Sequence, residues 1–140
     1  MTLQQTMDAL CQIAKSQPNI HTTITNDIYR LDAMPNVKYS VFGITQNVHS
    51  WDDNLFYVNL NLYFIDRLTS DSKNELAIQS HAIEVLKNII KTFKDEYDAE
   101  IYNGIVEFRT FTQKFCDLTA GAYATLRLAV DAETDCYESF

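Results

Sequence analysis

Between Asp53 and Asp71 the chain reads DNLFYVNLNLYFIDRLTSD, and as a strand it divides by parity into two unlike faces. One face carries Phe56, Val58, Leu60, Leu62 and Phe64. Successive strand side chains point to opposite sides, so an unbroken apolar row of this kind must lie on a core. The other face carries Leu55, Tyr57, Asn59, Asn61, Tyr63 and Ile65. It is neither core nor ordinary solvated surface, because aromatic and aliphatic side chains bracket two asparagines, a residue strands usually avoid. Any sheet built on this strand has a core on one side and a surface in need of a cover on the other.

The flanking segments supply the rest of a two-layer fold. Residues 3–16 place Leu3, Met7, Leu10 and Ala14 at helical spacing, with Thr2 as N-cap and Gln5 as its capping-box partner. Pro18 ends that helix. Residues 20–31 are β-branched and extended in character, and DAMPN, residues 32–36, is a turn. Residues 37–46 alternate as a strand in which Gly43 marks a bulge, and residues 47–53 form a connection. Ser72 and Glu75 read as a capping box for a helix reaching Phe93, with a wide apolar stripe of Leu76, Ala82, Ile83, Leu86, Ile89, Ile90 and Phe93. Two strands follow. Residues 100–115 are irregular near Phe108 to Phe111. Residues 118–130 alternate cleanly, with Leu118, Ala120, Ala122, Ala124, Leu126, Leu128 and Val130 on one side. The order α-β-β-β-α-β-β predicts an α+β fold: a mostly antiparallel sheet with two helices packed on one face.

At 140 residues, 46% of them hydrophobic, the chain is long enough for one domain with a real core. That domain is expected over residues 1–130, with residues 131–140 as an acidic C-terminal tail. The net charge is −8, and the tail contributes four acids and no base to it. This balance argues against nucleic-acid binding through phosphate neutralisation. No apolar run is long enough for a membrane span, and MTLQQTMDAL lacks the pattern of a signal peptide, so synthesis in a cytoplasm is expected. Cys11, Cys116 and Cys136 are odd in number and fit no zinc or redox spacing, so they read as reduced thiols. His21, His49 and His81 are equally scattered, and no metal or cofactor is expected.

No catalytic motif is present. Asp66, Arg67 and Asp71 form the densest charged cluster, and a strand-end turn accounts for them better than acid–base work. His49 and Trp51 beside Asp52 and Asp53 fit either a binding loop or local packing. His81 reads as a half-buried histidine, and Glu107 with Arg109 as an ion pair on a solvated face. The chain is therefore not expected to be an enzyme.

Four segments in order carry a resemblance: TNDIYRLDAMPNVKYSVFGI, NLFYVNLNLYFIDRLTSD, NELAIQSHAIEVLKNII and DLTAGAYATLRLAVDA. Their pattern resembles tail-terminator or tail-completion proteins of tailed bacteriophages, in particular structural proteins of crAss-like phages of Bacteroides-type hosts. The resemblance implies a small α+β domain in closed rings of six or twelve copies at the head–tail connector, located in the virion neck. It implies portal, adaptor or tail proteins as neighbours, and it transfers no functional residue. On this reading Tyr57, Asn59, Asn61 and Tyr63 line a subunit interface with Trp51, Tyr137 and Phe140, and the tail orders on a neighbour. The alternative cover for the strand is residues 47–53 or the N-terminal arm of the same chain. The competing function is a small-molecule-binding α+β domain without catalysis.

Overall fold

The computed structural model describes residues 1–26, 37–69, 71, 73–112 and 118–131. Helix α1 is Leu3–Lys15, and strands β1 (Thr22–Thr25), β2 (Val41–Gln46), β3 (Ser50–Trp51) and β4 (Leu55–Arg67) follow. Helix α2 (Glu75–Tyr97) then leads to β5 (Glu100–Ile101), a 3-10 turn at Tyr102–Gly104, β6 (Glu107–Thr112) and β7 (Thr119–Asp131). The sheet order is β1-β2-β4-β7-β5, with β3 beside β4 and β6 beside β7. The fold is α+β and mostly antiparallel, with one parallel pair, β1 and β2. Among the described residues no helix is long and apolar enough to cross a membrane.

The two longest strands, β4 and β7, pair over their whole length, from Leu55 opposite Asp131 to Arg67 opposite Thr119. This pairing fixes which side chains share a face. Phe56, Val58, Leu60, Leu62 and Phe64 join Ala122, Ala124, Leu126, Leu128 and Val130 under both helices. Helix α1 contributes Met7, Leu10, Ile13 and Ala14, and α2 contributes Ala82, Val85, Leu86, Ile89, Ile90 and Phe93. The alanines of β7 have no bulk above the sheet, so α2 can lie close against them. Gly121 serves the other direction, because a β-carbon there would sit 1.9 Å from the Phe64 carbonyl oxygen.

Helix α1 carries the expected capping box, with Thr2 Oγ1 accepting from the Gln5 amide and Gln5 Oε1 accepting from the Thr2 amide. The start of α2 differs from the sequence reading. Its N-cap is Asn74, which makes no side-chain cap bond to the helix. The Asn74 amide is engaged elsewhere, accepting from the Thr69 amide and donating to the Arg67 carbonyl, and so it fastens the end of β4 to the helix. Ser72 lies outside the described residues. Leu76 is 76% exposed rather than part of the stripe, and Ile83 is only half-buried. The helix also runs past Phe93 to Tyr97 and ends on Asp98 in the left-handed region.

Three strand boundaries also move. Among the described residues, only Thr22–Thr25 of the first extended stretch and only Val41–Gln46 of the second pair as strands. Gly43 sits in regular register opposite Tyr63, so it makes no bulge. Residues 100–115 break at 102–106, where Asn103 and Gly104 adopt positive φ, while Phe108 to Phe111 run in unbroken register with β7. An Asn-Gly pair tolerates the left-handed conformation, which explains why the chain turns there. The turns expected at Pro35 and Asp117 lie outside the described residues.

Leu86 is fully buried, and its replacement by alanine is expected to cost about 2–5 kcal/mol. Lys87, exposed beside Glu84, is expected to tolerate alanine at under about 0.5 kcal/mol. Gly121→Ala should destabilise by about 1–3 kcal/mol, because the obstructing atom belongs to the backbone of β4. Urea unfolding of the three variants measures all of this, and equal midpoints for wild type and Leu86→Ala would contradict the packing.

Candidate functional site

The sheet face opposite the helices is divided in two. At the β1 end Ile24, Val41, Tyr63 and Ile65 are buried, with Val37, Tyr39, Phe111 and Tyr123 packed on them. The Tyr63 and Tyr123 rings lie 5.3 Å apart, and the Arg67 guanidinium stands 4.8 Å over the Tyr39 ring. Tyr63 is 1% exposed, so this half of the face is covered within the chain and Tyr63 offers no surface.

The other half begins at an irregularity in the hairpin. Gln46 pairs with Leu60 but Ser50 pairs with Tyr57, so residues 47–49 oppose only Val58 and Asn59. This is a β-bulge, and its unmatched backbone groups need partners. The Asn47 amide donates to the Asn59 carbonyl at 2.8 Å. The Asn59 amide donates to His49 Nδ1 at 3.1 Å, so that nitrogen carries no proton and Nε2 donates to Gln46 Oε1 at 3.0 Å. The expected connection over 47–53 is therefore a bulge, a short strand and a tight turn.

The two asparagines find their purpose here. Asn47 Nδ2 donates to Asn61 Oδ1 at 2.9 Å and to Asn59 Oδ1 at 3.3 Å. Asn61 Nδ2 donates back to Asn47 Oδ1, and Thr125 Oγ1 donates to Asn61 Oδ1 at 3.0 Å. The network ties the bulge to β4 and β7 and leaves Tyr57, Asn59 and Asn61 half-buried.

The turn is fixed by Asp52. Its Oδ1 accepts from the amides of Asn54 and Leu55, and its Oδ2 accepts from the Tyr57 hydroxyl at 3.1 Å. The Leu55 and Asn54 amide bonds hold the Asp52 carboxyl below its ordinary value, with the Tyr57 bond assisting. The same carboxylate pushes the Tyr57 phenol up.

Past the network lies a groove of about 410 Å³ lined by Val48, Ser50, Tyr57, Asn59, Tyr102 and Arg127. A second hollow of about 240 Å³ continues it past Tyr102 and Arg127 to Asn103, Ile105, Glu107 and Thr125. Tyr102 reaches across β7 to meet Tyr57 edge-on at 5.5 Å. Val48 is 85% exposed and Ile105 72%. Arg127 is exposed and makes no ion pair or hydrogen bond among the described residues. The surface thus combines exposed apolar edges, two tyrosines, amide groups and a cation without a partner among the described residues, a composition suited to binding another chain.

Trp51 is 67% exposed but pairs with Phe56, which places it on the helix side of the hairpin tip. The structure therefore separates Trp51 from Tyr57, Asn59 and Asn61. Tyr137 and Phe140 lie outside the described residues, as do Cys116 and Cys136. Asp66 and Asp71 are taken up by local bonds to the Arg67 amide and to Thr69 and Lys73. His81 is exposed and stands edge-on to Phe64. Among the described residues no group of three potential metal-ligating side chains comes together. Asn47, Tyr102 and Arg127 were not singled out from the sequence. The Asn103-Gly104 pair was the available sign of a turn that would redirect Tyr102. Comparison with protein-family models finds no match, and comparison with curated proteins finds no significant one.

Asp52 supplies a pH test. Its folded-state pKa is depressed, so its stabilising bonds are present above the unfolded value of about 3.9 and are lost as pH falls through the folded one. Asp52→Asn should lower the melting temperature at neutral pH, and the gap from wild type should close between about pH 5 and pH 2. A gap independent of pH would show that the charge of Asp52 does not hold the turn.

Proposed function

We propose that this chain is a non-enzymatic structural protein of a phage virion, assembling as a closed homo-oligomeric ring in the head–tail connector between portal or adaptor proteins and the tail. The observation that carries the assembly reading is the placement of two dissimilar exposed patches. The groove of Tyr57, Asn59, Tyr102 and Arg127 lies on the open sheet face, while Trp51 lies on the helix side of the hairpin tip. A ring requires two different surfaces on each subunit, since its contacts are heterologous and must close on themselves. Tyr, Trp and Arg are also the side chains that dominate the energetics of such contacts. The phage setting rests on the sequence resemblance.

The small-molecule reading draws on the groove alone, whose volume of about 410 Å³ is in the range of ligand sites. The space between sheet and helices is occupied by fully buried side chains such as Leu60, Leu62, Leu86 and Ile89.

Native mass measurement, alone and with the neighbouring portal and tail proteins, tests the proposal. The expected species are six or twelve copies of the 16.1 kDa chain. A monomer under both conditions overturns it. Trp51→Ala should weaken assembly by about thirtyfold, the effect of losing roughly 2 kcal/mol at an interface hot spot, with the melting temperature unchanged.

A further inference from the structure

We propose that the groove around Arg127 is the receptor for the acidic C-terminal segment, residues 132–140, of a second copy of this chain. The inference rests on the assembly reading and names the contact that would join one subunit to the next. Among the described residues Arg127 is the only charged side chain lining the larger groove, and it has no partner among them. On a chain of net charge −8, a cation that shares a groove with two tyrosines and has no partner among the described residues is a specific feature. Glu107 lines the adjoining hollow with Arg127 without an ion pair to it among the described residues, and Asp52 near Tyr57 is already bonded to two amides and a hydroxyl. The complementary charge in the same sequence is the C-terminal segment, with Glu133, Asp135 and Glu138, no base, and Tyr137 and Phe140 as apolar groups.

The direction of β7 favours a second copy over the segment's own groove. At Asp131, opposite Leu55, the strand is heading away from Arg127. Both edges of β7 are occupied, by β4 on one side and by β5 and β6 on the other, so a segment folding straight back would find no backbone partners in the sheet. Continuing outward, nine residues span up to about 30 Å, ample to reach an adjacent subunit. Carboxylates would meet the Arg127 guanidinium, and the aromatic rings would lie against Tyr57, Tyr102, Val48 and Ile105. Each copy would give one segment and receive one.

A fluorescent synthetic peptide of residues 131–140 titrated into the chain lacking 132–140 tests the contact. Saturable binding is expected, weakened by salt, weakened at least about tenfold by Arg127→Glu and largely kept by Arg127→Lys. The exposure of Arg127 makes unchanged melting temperatures the expected control. No saturable binding, or equal binding to the Arg127→Glu chain, overturns the proposal. The chain lacking 132–140 is then mixed with the full-length Arg127→Glu chain. A one-to-one pair is expected by native mass, since the first retains only the receptor and the second only the segment. A mixture that stays monomeric while the peptide binds assigns the segment to its own groove and overturns the second-copy assignment. Rings that form undiminished without residues 132–140 overturn it too, while leaving the assembly reading intact. A full-length protein that stays monomeric with all its neighbours fails the assembly reading instead, a result read on the unmodified chain.

Discussion

The structure depends on the uninterrupted pairing of β4 with β7. Thirteen residues of each strand run in one register, and a slip of one position would put the apolar side chains of one strand on the face opposite those of the other. Both helices pack on what that register presents. The alternation of Ala120, Ala122 and Ala124 with Gly121 meets two steric demands at once. The alanines admit α2 on one side, and the glycine admits the Phe64 carbonyl within the sheet. The core and the open face are thus set by the same pairing, so a change to one is felt in the other.

The bulge at 47–49 is the second constraint. A regular hairpin would have continued β2 directly into β3 with every backbone group paired across. The additional residue's backbone is served by the Asn47 amide bond to the Asn59 carbonyl and by His49 Nδ1, which accepts from the Asn59 amide, while Asn47 and Asn61 tie their side chains together beside them. Polar side chains held by several partners keep a surface rigid, and a rigid surface binds with less loss of conformational freedom. The polar strand face and the irregular hairpin are two halves of one device that shapes the edge of the groove.

The open face owes its boundary to tertiary packing. Tyr63 and Tyr57 have the same parity on the same strand, yet Tyr63 is buried under Tyr123 and its neighbours while Tyr57 borders the groove. The difference lies in what each meets across the sheet. Around Tyr63 stand Ile24, Val41 and Phe111, all apolar. Around Tyr57 stand Ser50, Asp52, Tyr102 and Arg127, which leave room and polarity. An interaction surface results where the supply of covering apolar side chains ends.

The sequence by itself determined the fold class, the parity of β4 and β7, the capping box of α1 and the buried stripe of α2. These rest on local periodicities and short-range bonds, which the order of residues states directly. Only the tertiary structure decided the parallel placement of β1, the bulge, the exposure of Leu76 and the meeting of Tyr57, Tyr102 and Arg127. Tyr57 and Tyr102 lie far apart in sequence and are brought together because β7 lies between β4 and β5, and Tyr102 directly follows β5. Asn74 shows the same limit on a shorter scale: it stands where a helix cap belongs, but its amide is claimed by the end of β4. Which partner a polar side chain takes depends on what the fold places within hydrogen-bond reach, and no periodicity records that.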